Sequence, residues 1–289
     1  MPKVALIGGR NRRDSIRRSL ELISKDIKSA LNSRQIVIKP NLVSTSIQLA
    51  STHIDQLRGI LDFLTGFYKD RIVIAEAAAG NTEEGFHNFG YYSLLDEYPV
   101  ELVDLNKGSF ESLSILDSRG RKINIRVSSM LLDRNNFIIS AAKLKTHDTV
   151  VVTLSIKNLV MGSIYLKDKV LMHQGYRQIN LNIAELAHRL RPELAVIDGI
   201  VGMEGDGPIY GTPVDVGVVI SSTDPLAADR VACEIMGVDF KKVGYLSYCA
   251  AYALGRAELE EIEIIGEPLE KFIRPFRLHS SVNEQYQWY

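Results

Sequence analysis

Hydrophobic positions along the chain follow two rhythms that take turns. Short β-branched runs at residues 4–7, 35–38, 71–75, 100–104, 137–140, 194–197, 214–220 and 261–265 read as strands. Between them, apolar residues at helical spacing predict helices over 13–30, 55–67, onward from Thr82, and over 178–190, 225–236 and 243–254. This alternation marks an α/β fold: a mostly parallel sheet flanked by helices, as one large or two intimate Rossmann-like domains. Ser51 or Thr52 offers an N-cap to the second helix, and Asp224 caps the helix opening at Pro225, where a first-turn proline is tolerated. Residues 122–127, beside the turn at 118–120, read as a hairpin or sheet-edge insertion. The stretch 149–159 suits a helix or an irregular apolar segment, while 162–175 mixes charge and glycine without a period, as a functional loop does. The tail beyond Glu267 is polar and aromatic without periodicity, a segment suited to packing on a neighbour.

At 289 residues the chain is near the upper limit for one hydrophobic core. It reads as a single unit over 1–289, with a two-lobed division near 105–135 as the alternative. Lysine plus arginine (34) nearly balance aspartate plus glutamate (35), so no global field attracts nucleic acid or an anionic membrane. Any anion site must be local. The two cysteines, Cys233 and Cys249, have no short pair spacing; this fits a reducing, cytoplasmic setting and provides no framework for an iron–sulfur cluster. The N-terminus reads as a strand rather than a secretory signal, and no apolar run approaches the roughly 20 residues that span a bilayer. A homo-oligomer is compatible with these properties.

Ligands of parallel α/β folds bind beyond the carboxyl ends of the strands, which directs attention to polar residues just after strand runs. These are Lys39 with Asn41, Glu76 with Asn81, Lys143 with Lys145 and His147, and Asp198. Alternation puts Lys143 and Lys145 on one face if the extended conformation persists, and His147 can join them. Downstream lie Lys157, Asn158, Lys167, Lys169 and His173. Such a concentration of cations in a near-neutral chain points to a carboxylate, phosphate or other anion held by charge-assisted bonds; a solvated basic loop is the plainer alternative. Histidine adds proton transfer near neutral pH or metal ligation. The glycine-rich segment 198–211 carries Asp198, Glu204 and Asp206, able to hold a hard cation or to serve only as a turn, and it matches no phosphate-loop or dinucleotide pattern.

The ordered set formed by Val37 to Leu42, Lys143 to His147, Ile156 to Leu159 with Gly162, His173, Asp198 and Met203 to Pro208 resembles the DUF362 family over nearly the whole chain. The resemblance implies an α/β domain of unassigned function. Some relatives carry ferredoxin-type iron–sulfur modules, for which this chain has no cysteines. A more distant resemblance is to the lactate racemase family, through the order and approximate spacing of His147, Lys157 and His173. In that family the lysine tethers a nickel-pincer nucleotide, one histidine ligates nickel and another exchanges protons. Carried over, Lys157 is the tether, His173 the metal ligand and His147 the acid/base, but the loop 77–83 lacks the histidine that family places there.

Two readings of function follow. One is an enzyme acting on a small anionic substrate, with or without a metal or nickel-pincer-like cofactor, with His147 and Lys157 catalytic and His173 on the metal. Lys39, Asn41, Lys143, Lys145, Asn158 and Glu204 would hold the ligand or cofactor. The other is a non-catalytic carrier of an anionic metabolite or cofactor that uses the same lysines.

Overall fold

The computed structural model describes residues 1–289. The strand β1 (Lys3–Gly8) leads into helices Arg12–Leu22 and Ser24–Leu31, then β2 (Gln35–Lys39), helix Ile54–Thr65, β3 (Ile72–Glu76), helix Thr82–Asn88 and β4 (Val100–Asp104). A hairpin of β5 (Phe110–Leu116) and β6 (Lys122–Ser128) follows, then β7 (Asn136–His147), β8 (Val151–Thr153) and helix Ser155–Gly162. A 3-10 segment, Leu166–Met172, and helix Tyr176–Ala187 lead to β9 (Leu194–Glu204), β10 (Thr212–Ser222), helices Pro225–Ile235 and Gly244–Ala251, and β11 (Glu263–Gly266).

Nine strands make one mixed sheet in the order β11-β1-β10-β9-β7-β2-β3-β4, with β8 paired to β7, while β5 and β6 pair only with each other. From β4 to β9 all pairings are parallel, as the alternating pattern predicts. The chain lays β2, β3 and β4 outward in succession and then returns to place β7 on the other side of β2. Neighbouring connections therefore leave β2 and β7 in opposite directions, which opens a crevice beyond their carboxyl ends. Each face of the sheet has its own core. Ile138, Ala142 and Leu144 of β7 join one core, and Phe137, Ile139 and Ala141 the other. Burying each of the isoleucine, leucine and phenylalanine side chains contributes about 1.5–3 kcal/mol.

Several boundaries depart from the sequence pattern for identifiable reasons. The expected helix over 13–30 breaks at Ile23, so two helices replace it. The N-cap of Ile54–Thr65 is His53, whose Nδ1 accepts from Asp55 N–H. Thr52 is otherwise engaged, accepting from Asn41 N–H and donating to Ala141 O. Where a short strand was expected at 137–140, β7 runs to His147, because Lys143 and Lys145 interrupt the apolar pattern but remain extended and buried. Residues 149–159 divide into β8 and the start of a helix. The glycine-rich segment after Asp198 continues β9 to Glu204 instead of turning at once. The tail packs on its own chain: Phe272, Phe276 and Trp288 are buried, Trp288 Nε1 donates to Lys242 O, and Gln285 Oε1 accepts from Val151 N–H. No helix is long and apolar enough to cross a membrane.

Candidate functional site

The crevice between β2 and β7 deepens into a cavity of about 230 Å³, lined among others by Lys39, Glu76, Lys145, His147, Lys157 and Lys169. Its floor is set by the strand ends. Lys39 closes β2 and Glu76 closes β3, and their side chains form a buried ion pair at 2.9 Å. Lys39 Nζ also donates to Pro40 O (2.7 Å) and Asn158 Oδ1 (3.3 Å), so its three donors are engaged. Glu76 accepts from the backbone N–H groups of Leu42 and Ala77 as well. Gly162 makes room for this pair, since a Cβ there would lie 2.0 Å from Lys39 Cε. An amide relay extends the floor to β7. Asn158 Nδ2 donates to Ser140 Oγ, Asn41 Nδ2 donates to Asn158 Oδ1 (2.8 Å), and Asn41 Oδ1 accepts from Lys145 Nζ (2.7 Å).

The remaining lysines lack carboxylate partners. Lys145 adds one bond to Ala50 O (2.6 Å). Lys169 donates to Ala77 O (2.7 Å) and Met161 O (3.0 Å), and its 3-10 segment is clamped by Asp168, which accepts from Arg126 backbone and guanidinium. In the protonated form, which an anion in the cavity favours, each of these two groups keeps one donor free. Lys157, 7% exposed, makes no hydrogen bond and no ion pair with the protein. It projects from the first turn of helix Ser155–Gly162, whose end is fixed by Asp229: the carboxylate accepts from Ser155 N–H (2.8 Å), Ser155 Oγ (2.6 Å) and Ile156 N–H (3.0 Å). Thr153, also on the cavity wall, has a buried hydroxyl with no partner.

Burial dominates the electrostatics. It pushes Lys157 down to about 7; of the charges around it Asp148 acts most, pulling upward, while Lys169 and Lys39 push further down. Burial takes Lys169 down to about 8, with Glu76 pulling upward and Lys39 downward. Lys145 is held well below the usual lysine range by burial and then by the charges of Lys157 and Lys143. His147 is pushed down to about 3 by burial and by Lys157, so its ring is neutral near pH 7. Its Nδ1 lies 3.0 Å from both Thr149 N and Asp148 Oδ1. One nitrogen cannot accept from the amide and donate to the carboxylate together. The neutral ring accepts from Thr149, which leaves the proton on Nε2. His173, exposed at the edge of the cavity, is lowered by partial burial and by Lys157.

Seven of the residues expected from the sequence meet here: Lys39, Asn41, Lys145, His147, Lys157, Asn158 and His173. Lys143 does not reach the cavity. It lies deeper on β7 opposite Asp198 in the β9 register, 3.5 Å from a carboxylate that also takes Arg12 at 2.8 Å. Glu204 is also elsewhere, because its carboxylate accepts from Arg277 N–H (3.0 Å) and ties the tail to the end of β9. Glu76, as a strand-end acid, and Lys169, as one of the concentrated cations, also stand out in the sequence and line the cavity, whereas Asp148 and Thr153 have no signal that separates them from ordinary loop polarity.

The donor set also bears on a metal. No group of three histidine, cysteine, aspartate or glutamate side chains converges anywhere in the protein. His147 and His173 alone fall short of the three or four protein ligands usual for a transition metal. The residues do not fit a metal carried on protein ligands alone.

The family model for the domain of unknown function DUF362 matches residues 36–234, from β2 into helix Pro225–Ile235. The chain belongs to the DUF362 family. Every cavity residue discussed here falls inside the DUF362 match. A thylakoid-associated protein of Synechocystis sp. is 30% identical over 166 residues, which cover 56% of this chain and 50% of that protein. The chain therefore spans half the length of this curated relative. A crystal structure of a Thermotoga maritima protein aligns with a TM-score of 0.46 at 14% identity, covering 79% of this chain and 60% of that one.

Proposed function

We propose that this cavity is the active site of a cytoplasmic enzyme acting on a small anionic substrate, a carboxylate or a phosphate. The observation that carries the reading is Lys157: a buried amine with no protein partner, on the wall of a cavity of about 230 Å³. Burying a charge without a partner is costly, and an anion in the cavity supplies the compensation that Lys145, Lys157 and Lys169 lack. Chemistry beyond binding is supported by the same residues. An amine lowered to about 7 is available as a base or nucleophile at neutral pH, and a neutral His147 presents Nε2–H to a substrate oxygen.

Thermal-shift measurements against a panel of small carboxylates and phosphates test the reading. A ligand present at about 100 times its dissociation constant stabilises by about 2.7 kcal/mol, and that gain should vanish in Lys157→Met. A panel in which no anion raises the melting temperature would refute it. Stabilisation without turnover of any hit would instead favour the carrier.

A further inference from the structure

Resting on the anion-site reading, we propose that Lys157 is a nucleophilic amine that forms a Schiff base with a small 2-oxo carboxylic acid. The cavity wall offers two kinds of nitrogen. Lys145 and Lys169 are already oriented by two oxygen acceptors each, with one N–H apiece left for a ligand. Those two donors equal in number the two oxygens of a carboxylate. Lys157 is different, because nothing in the protein occupies its nitrogen, and its position is fixed through a helix turn held by Asp229. A desolvated lysine beside other cations is the arrangement that keeps an amine unprotonated and reactive toward carbonyl carbon. Its availability near neutral pH agrees with this geometry.

A carboxylate is favoured over a phosphate by the same elements. Phosphates are commonly seated on the free N–H groups of a helix N-terminus. Here the N-terminus of Ser155–Gly162 is closed by the Asp229 carboxylate, which takes the N–H groups of both Ser155 and Ile156. The small volume suits a compact acid whose carbonyl sits beside its carboxylate. The Nε2–H of His147, a residue of the cavity wall, is then a donor available to the carbonyl oxygen.

The step balances without a further reactant. The Lys157 lone pair attacks the carbonyl carbon, the carbonyl π pair moves to oxygen, and proton transfer from nitrogen to oxygen gives a carbinolamine. The C–O bond then breaks; the oxygen leaves as water with the two protons the amine began with, and one solvent proton converts the imine to an iminium ion. The iminium withdraws electrons from carbon 3 of the acid, so loss of a proton there, or of carbon dioxide where that carbon bears a second carboxylate, is the class of reaction it promotes, the electron pair passing into an enamine.

The test is borohydride trapping on the full chain with pyruvate as probe, read by intact mass and peptide mapping. The proposal expects a single reduced adduct on the Lys157 peptide. Lactate, which has the carboxylate and no carbonyl, should compete with formation of the adduct and never be trapped itself. Lys157→Arg should give no adduct at the site, and the wild-type peptide map decides the matter if that variant does not fold. Stabilisation by pyruvate and lactate with no adduct would overturn the Schiff base and leave the anion site standing. Adducts confined to exposed lysines would overturn it as well. Absence of both stabilisation and trapping would remove the anion-site reading with it.

Discussion

Lys143 and Lys157 are both buried amines of the same basic stretch, and their surroundings divide them. Lys143 faces Asp198, a carboxylate with no exposure that also binds Arg12 at 2.8 Å and accepts from Ile200 N–H at 3.0 Å. Burial pushes Asp198 upward, but Lys143, Arg12 and that amide together hold its carboxyl below the usual range. Lys157 has neither an ion pair nor a hydrogen bond; its wall carries other cations and the Asp148 carboxylate, which pulls its proton affinity upward without contacting it. A charge compensated inside the protein is structural, because a ligand there would have to displace an existing partner. An uncompensated one is a binding determinant in waiting. Equal burial thus separates scaffold from site only when the partners are counted as well.

The largest effect should come from breaking the compensated side. Asp198→Ala leaves Arg12 and Lys143 facing each other without their carboxylate, and removing one partner of a buried pair costs about 3–5 kcal/mol. Urea unfolding should show that loss, with stabilisation by a cavity anion retained in the folded fraction. A loss below about 1 kcal/mol would mean that the cluster is not the structural half of the contrast. Next comes Gly162→Ala. Its new Cβ would overlap Lys39 Cε at 2.0 Å and Nζ at 2.1 Å, forcing the ammonium off Glu76. The overpacking penalty of about 1–3 kcal/mol exceeds the helix-propensity gain of up to about 1 kcal/mol. Denaturation and anion affinity should both worsen.

The uncompensated side has an opposite signature. Lys157 titrates near 7 in the fold, against about 10.4 for an unperturbed lysine, so between these values the unfolded chain holds the extra proton. Stability therefore rises with pH across that window and is lost as pH falls toward 7, by at most about 1.4 kcal/mol per pH unit for one proton. Lys157→Met should be folded, more stable than wild type at pH 7, and flatter in its pH dependence by up to one proton. Urea midpoints from pH 7 to 10 measure this. An unchanged slope would mean that Lys157 is not desolvated. An anion that pairs with the cavity lysines raises their proton affinity, so its binding should take up protons and weaken as pH climbs above about 7.

Much of this contrast is absent from the linear pattern. The alternating rhythm gives the α/β sheet, and Lys39-Pro40-Asn41 after an apolar run marks a strand end where ligands bind. Lys143 and Lys145 look alike in sequence because they are separated by one residue in the same strand. What distinguishes them lies far along the chain: Asp198 and Arg12 for one, Asn41 and Ala50 for the other. Lys169 and Lys167 look alike in sequence as cations of one loop, and what puts Lys169 on the wall is the clamp between Asp168 and Arg126 of the hairpin. The tail shows no period in sequence because Phe272, Phe276 and Trp288 bury at irregular intervals on the chain's own core.

The smallest effect concerns how the turn carrying His147 and Asp148 is held. Val151, just past it, has φ of 68°, in the left-handed region that a β-branched residue rarely adopts. Its N–H is taken by Gln285 Oε1 at 2.6 Å, and its side chain is buried. Val151→Gly removes strain of about 1–2 kcal/mol and forfeits burial of about 1.5–3 kcal/mol. The two nearly cancel, and a net loss of about 1 kcal/mol should appear in urea unfolding, with anion binding kept because the bond to Gln285 uses the backbone. A loss of binding at unchanged stability would locate the control of His147 in the strained turn itself, and would move that turn from the scaffold half of the molecule to the site half.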